Sequence, residues 1–105
     1  MVSVAMATYN GSKYIKRQIE SILVNLSPVD EIIVSDDGST DDTIDIVHSF
    51  FDDRIKIIEG PHNGLVKNFA NAIDKCSGDY IFLCDQDDYW YPNKVERVLK
   101  AFKEH

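Results

Sequence analysis

The sequence has no apolar run approaching the roughly 20 residues that a membrane-spanning helix needs. Its N-terminus, Met1-Val2-Ser3-Val4, carries no basic leader ahead of a long apolar stretch. These absences predict a cytoplasmic protein, with the inner face of the membrane as the alternative location. Basic residues are scarce: 11 Lys and Arg stand against 18 Asp and Glu, a formal net charge of -7. The overall field therefore repels polyanions, which argues against nucleic acid as a partner. Cysteine is limited to Cys76 and Cys84, whose spacing matches no common zinc or redox motif, and both read as inert buried thiols. His48, His62 and His105 have no ligand spacing and are set aside as incidental. The loop after the first apolar run holds one glycine and no G-x-G-x-x-G pattern, which sets dinucleotide binding aside.

What is present is the composition of an ordinary globular domain, 44% hydrophobic and 28% charged over 105 residues. That length supports one core, so residues 1–105 are expected to form a single domain. Four apolar runs alternate with four segments of helical period, the pattern of a mostly parallel sheet with helices on both faces. The runs are residues 2–7, 31–35, 54–58 and 80–84, and the second and fourth read as fully buried strands. The first helical segment turns Ile15, Ile19, Ile22, Leu23 and Leu26 to one side. The second is expected to be capped by Ser39 or Thr40 and to bury Ile44, Val47 and Phe51. A third has Asn63 as its cap, Val66, Phe69, Ala70 and Ile73 inward, and Gly78 as its stop. The last opens with Pro92 in its first turn and buries Val95, Val98, Leu99 and Phe102.

In open α/β sheets ligands bind outside the carboxyl ends of the strands, so the loops that follow the runs should carry function. Asp85-Gln86-Asp87-Asp88 crowds carboxylates at one such end. Like charges about 4 Å apart repel by roughly 1 kcal/mol in water and about 4 kcal/mol at an effective dielectric near 20, so the cluster calls for a cation. Mg²⁺ or Mn²⁺, shared with substrate phosphates, is the natural occupant; a solvated acidic turn is the plain alternative. A calcium loop fails, because Trp90 stands where that motif needs glycine.

Asp36-Asp37-Gly38-Ser39-Thr40 leaves a second strand. A carboxylate there can accept the imide N–H of a uracil or thymine ring, or simply charge-match a helix start. Thr8-Tyr9-Asn10-Gly11 can offer backbone groups and an aromatic face to the same base. Lys67 can balance a phosphate or stand as a solvated helix lysine. Of Tyr89, Trp90 and Tyr91, the tryptophan reads as core.

In order and spacing, residues 2–11, residues 31–41, Asn63-Gly64-Leu65 and residues 78–88 resemble the family 2 glycosyltransferases of GT-A fold. The resemblance implies a Rossmann-like nucleotide-sugar-binding half. It implies an inverting transfer of a sugar from a UDP- or dTDP-type donor to a saccharide or lipid-linked acceptor. By the same resemblance Thr8, Tyr9 and Asp37 line the base, Asp85 lies toward the ribose, and Asp87 binds the metal, Mn²⁺ or Mg²⁺; Lys67, from the residue reading alone, is placed with the nucleotide-binding set. The stretch Asp85-Gln86-Asp87-Asp88-Tyr89-Trp90 looks like the version found in enzymes of surface polysaccharide synthesis, rhamnosyltransferases among them. Family members continue with a segment that holds the acidic general base, and no residue here matches it. The chain is thus expected to be cut short at its C-terminus, inactive alone and open to self-association over the surface left bare. A noncatalytic nucleotide-binding module completed by a partner is the competing reading. A phospho-acceptor signalling domain is disfavoured, because its acid pair usually follows the first strand, where Thr8-Tyr9-Asn10 stands here.

Overall fold

The computed structural model describes residues 1–85 and 89–104. Among them strands and helices alternate as β1 (Val2–Thr8), α1 (Ile15–Asn25), β2 (Glu31–Asp36), α2 (Thr43–His48), β3 (Ile55–Glu59), α3 (Leu65–Asp74), β4 (Tyr80–Asp85) and α4 (Lys94–Glu104). The strands form one parallel sheet in the order β3-β2-β1-β4. The chain thus builds outward from β1 to β3, then returns to place β4 on the other flank of β1. The strand order reverses between β1 and β4.

Side chains alternate across the sheet, so each strand supplies both faces. Val4, Met6, Ile32 and Val34 join Ile15, Ile19 and Ile22 of α1, Val47 of α2 and Val95 of α4 in the larger core. Ala5 and Ile33 point the other way and meet Ala72 of α3 in a smaller one. Helices therefore cover both faces, as the alternation predicts.

Several expectations about individual elements are corrected. The fully buried strands are β1 and β2; β4 is largely exposed, because it is a sheet edge and among the described residues has β1 as its one strand neighbour. Phe51 is 93% exposed, since α2 ends at His48 and the chain leaves the helical period with Phe51 at φ +48°, and half-buried Phe50 packs on the core instead. Neither Ser39 nor Thr40 caps α2: it begins at Thr43, whose amide and hydroxyl donate to Asp41. The inward residues of α3 are Asn68 and Ala72, while Val66 is 82% exposed and Ala70 and Ile73 also face outward. The reason is polar: the strand ends beneath α3 need hydrogen-bond partners. Gly64, not Asn63, sits at the cap position of α3. Gly78 does not stop α3, which ends at Asp74; a Cβ there would lie 2.7 Å from the Ser3 backbone nitrogen, so glycine permits the close approach to β1. Pro92 precedes α4 rather than entering its first turn. Phe102 is exposed, although its ring meets Tyr80 at 5.7 Å.

At the amino ends of the strands Glu31 is buried and charged. It accepts hydrogen bonds from the hydroxyls of Ser3 (2.6 Å) and Ser77 (3.1 Å), the Ser77 amide (2.8 Å) and the Lys56 ammonium (3.1 Å). Burial pushes its pKa up, but the hydrogen bonds outweigh burial and hold the carboxyl at about 2, against an ordinary 4.5. With the folded pKa depressed, its contribution is complete above about pH 4.5 and is lost as the pH falls toward 2. Urea denaturation should show Glu31→Gln to be destabilised by on the order of 2 to 3 kcal/mol at pH 7. The difference from wild type should shrink below pH 4.5 and vanish near pH 2.

Candidate functional site

Parallel register brings the carboxyl ends of the strands level: Thr8 pairs with Asp36, Asp36 with Glu59, and Ala7 with Asp85. A cavity of about 680 Å³ opens there, lined by Ala7, Thr8, Tyr9, Asp37, His62, Gly64, Leu65, Asn68 and Asp85. It lies at the β1/β4 reversal of strand order, where open α/β sheets hold their ligands.

Asp36 and Asp37, adjacent in sequence, have different duties. Asp36 is buried, and both its oxygens are occupied: Oδ1 accepts from the hydroxyls of Thr8 (2.6 Å) and Ser39 (2.6 Å), and Oδ2 from the amides of Gly38 (3.2 Å) and Ser39 (2.8 Å). It folds the loop. Asp37 is half-buried and lines the cavity. Its amide donates to the Thr8 carbonyl (2.9 Å), and its Oδ1 accepts from the His62 amide (2.6 Å). Among the described residues Oδ2 has no hydrogen-bond partner. Thr8 is itself buried, with its hydroxyl spent on Asp36, so it serves mainly as the floor that holds both acids in place. Tyr9 is exposed and presents its ring at the rim.

Beneath Asp37 a buried amide network joins α3 to three strands. The Ser35 hydroxyl donates to Asn68 Oδ1 (2.6 Å), Asn68 Nδ2 reaches the Thr8 carbonyl (3.4 Å), and Asn71 Nδ2 donates to Ser35 Oγ and the Glu59 carbonyl (2.9 Å each). The loop after β3 is drawn in by the Gly60 amide, which donates to the Asp36 carbonyl at 2.7 Å. A Cβ on Gly60 would stand 2.6 Å from both Asn68 Oδ1 and Asp37 Oδ1.

Of the residues singled out in the sequence, Thr8, Tyr9, Asp37 and Asp85 thus share one cavity. Lys67 is exposed on α3 and is not among the described lining residues. Asp87 lies outside the described residues, as does Asp88. Trp90 belongs to the core, with its ring 5.7 Å from Phe82. His62, set aside on ligand spacing alone, turns out to supply the amide that holds Asp37, with φ +56° and a ring against Gly38. Asn68 was also missed. The signal for it was a polar residue between apolar ones on a helix expected to pack inward.

Among the described residues no three His, Cys, Asp or Glu side chains converge as a metal cluster. Asp85 at the rim is nonetheless a hard oxygen donor, of the type that suits Mg²⁺ or Mn²⁺.

A parallel sheet with an acid-rimmed crevice at its β1/β4 reversal is the nucleotide-binding architecture of the GT-A fold, and the solved structures it matches have that fold. The pattern of the family described as "Glycosyl transferase family 2" matches residues 3–105, and the chain belongs to that family. Chondroitin synthase of Pasteurella multocida is 35% identical over 105 residues, covering 97% of this chain and 11% of that protein. A dTDP-rhamnosyl transferase of Shigella flexneri is 37% identical over 102 residues, covering 90% of this chain and 35% of that protein. Staphylococcus aureus TarS, solved in complex with UDP, superposes with a TM-score of 0.89 at 28% identity over 99% of this chain and 32% of its own. A mannosyltransferase of Pyrobaculum calidifontis, solved with GDP-Man and Mn²⁺, shares the fold with a TM-score of 0.86 at 22% identity over 94% of this chain and 31% of its own. The chain spans between 11% and 42% of the length of such curated relatives.

Gly60→Ala should lower stability by about 1–3 kcal/mol through overpacking against the Asn68 and Asp37 carbonyl and carboxylate oxygens. In a ¹⁵N-labelled sample it should move the amide resonances of Asp37 and His62 more than those of Glu31 and Ser77 at the opposite end of the strands.

Proposed function

We propose that this chain is the donor-binding part of an inverting glycosyltransferase that takes a sugar from a UDP- or dTDP-type donor, in the synthesis of a surface polysaccharide. The observation that carries the reading is the meeting of Thr8, Tyr9, Asp37 and Asp85 around one cavity at the strand-order reversal. The relatives named above support the reaction class, and the UDP- and GDP-Man-bound neighbours support a nucleotide in this crevice.

Asp37 would receive the imide N–H of the base, since the His62 amide fixes one carboxylate oxygen and turns the group to the cavity. Tyr9 would stack on the ring, Asp85 would lie toward the ribose, and Lys67 would assist from α3 as the chain adjusts on binding. Asp87 would hold Mn²⁺ or Mg²⁺. When bound, that ion supplies Lewis-acid stabilisation of the diphosphate as the sugar bond breaks. It also answers the repulsion between a -7 protein and a phosphate ligand. The acceptor, a saccharide or lipid-linked hydroxyl, and the acidic base that deprotonates it belong in this reading to polypeptide that the relatives have beyond the matched region. On this reading the 105 residues bind donor without turnover and work in the cytoplasm; among the described residues no helix is long and apolar enough to cross a membrane.

A second reading, a noncatalytic module completed by another chain or by its own copy, draws on the uncovered edge strand, where Tyr80, Ile81 and Leu83 are exposed. Isothermal titration separates the two from a fold without a ligand. UDP or dTDP should bind at least about tenfold more tightly with Mn²⁺ than with EDTA, and Asp37→Asn should weaken binding in both conditions by a similar factor. No metal-dependent heat with either nucleotide would remove the support for donor binding.

A further inference from the structure

One face of α1 is polar where a core-facing helix would ordinarily be apolar. Gln18, Ser21 and Asn25, spaced i, i+3 and i+7, form a single stripe; Gln18 and Ser21 are buried and Asn25 is half-buried. The bonds from this stripe converge on the two flanks of one short stretch of chain. On the upstream flank, Gln18 Nε2 donates to Cys84 Sγ in β4 (3.0 Å). Downstream, the Trp90 amide donates to Ser21 Oγ (3.0 Å), Asn25 Nδ2 donates to the Tyr91 carbonyl (2.9 Å), and the Val95 amide donates to Asn25 Oδ1 (3.0 Å). The stripe is internally tied as well. The Ser21 hydroxyl donates to the Gln18 carbonyl (2.7 Å), and Asn25 Nδ2 to the Ser21 carbonyl (3.0 Å). Trp90 is 1% exposed and locks the downstream flank in the core.

Stability alone does not account for such a stripe. Polar pairs in a core gain little net over well-packed apolar groups. Among the described residues this cluster also leaves Gln18 Oε1 and Trp90 Nε1 buried without a hydrogen-bond partner. What polar contacts do supply is direction: they fix where a backbone runs, where an apolar contact would let it slide.

We propose that Gln18, Ser21 and Asn25 are positioning residues for the carboxyl end of β4, where Asp85 lines the cavity. By holding Cys84 on one side and residues 90–95 on the other, they set where Asp85 stands against Thr8 and Asp37. The inference rests on the donor-binding reading above, and it assigns to α1 a part in metal-dependent binding although no α1 residue lines the cavity. The base-side contacts of Asp37, His62 and Asn68 are built on β2, α3 and the loop after β3, so they stand independently of α1.

The test uses the 105-residue chain with Ser21→Ala, Asn25→Ala and Ser21→Thr. Calorimetric titration of UDP with Mn²⁺ should show about tenfold weaker binding in Ser21→Ala and Asn25→Ala, the range seen when supports behind metal ligands are removed. UDP in EDTA should stay near wild type, and Ser21→Thr, which keeps the hydroxyl, should restore the metal-dependent affinity. Amide hydrogen exchange without ligand should accelerate at Tyr89 to Tyr91 in both alanine variants while Asp37, Gly60 and His62 keep their protection. Equal losses of affinity with and without metal, or exchange that accelerates uniformly along the chain, would reduce the stripe to a stability element and overturn the proposal. Wild type that binds no UDP in either condition would instead overturn the donor-binding reading, and the exchange pattern would still decide whether α1 holds residues 89–91.

Discussion

Parallel pairing in register is the constraint on which the rest depends. Because β2, β1 and β4 run the same way and end level, their carboxyl ends lie along one side of the sheet, and β2 and β4 end in acids. A protein of net charge -7 that gathers carboxylates at one edge is repelled by phosphate there unless a cation or aligned amides intervene. The fold removes Asp36 from this problem by burying it under four donors, which leaves Asp37 and Asp85 as the described carboxylates facing the cavity.

Two buried polar groupings keep that edge in shape, one on each face of the sheet. On the α3 side, Asn68, Asn71 and Ser35 tie the ends of β1, β2 and β3 together under Asp37. On the α1 side, Gln18, Ser21 and Asn25 hold Cys84 of β4 and, further along the chain, Trp90 and Tyr91. Each lies where an apolar residue would have suited a core as well. Buried polar groups need fixed partners, and fixed partners determine the course of the backbone. The amino ends of the strands show the same principle in Glu31, which is held ionised between serines of two other segments and a lysine of β3.

β4 is one of the two edge strands of the described sheet, with β3 at the other side. β4 has a single strand neighbour, and Ile81 and Leu83 stand exposed on the side that α3 leaves open. The structural neighbours are about three times as long as the region they share with this chain, so they have polypeptide to spare for such a surface. The larger core on the opposite face, closed by α1, α2 and α4, is by contrast complete enough to bury Trp90.

Much of this was legible in the residues. Apolar runs alternating with helical periods determined an α/β sheet, and Thr8, Tyr9, Asp37 and Asp85 were recognisable because each lies within two residues of the end of a run. Periodicity failed where burial is not set by a helix's own pattern. Val66 and Ile73 read as inward, yet the strand ends beneath α3 needed amides and drew Asn68 in; β4 read as buried because nothing local tells an edge strand from a central one. His62 escaped notice because it acts through its backbone amide, which no side-chain pattern records. The sequence by itself thus determined the elements, their order and the acids at the strand ends, since these depend on local period and composition. Only the tertiary structure decided which acid is buried and which faces the cavity, which strands are the edges, and which polar residues of α1 and α3 hold the strand ends, because those outcomes depend on what each segment meets across the sheet.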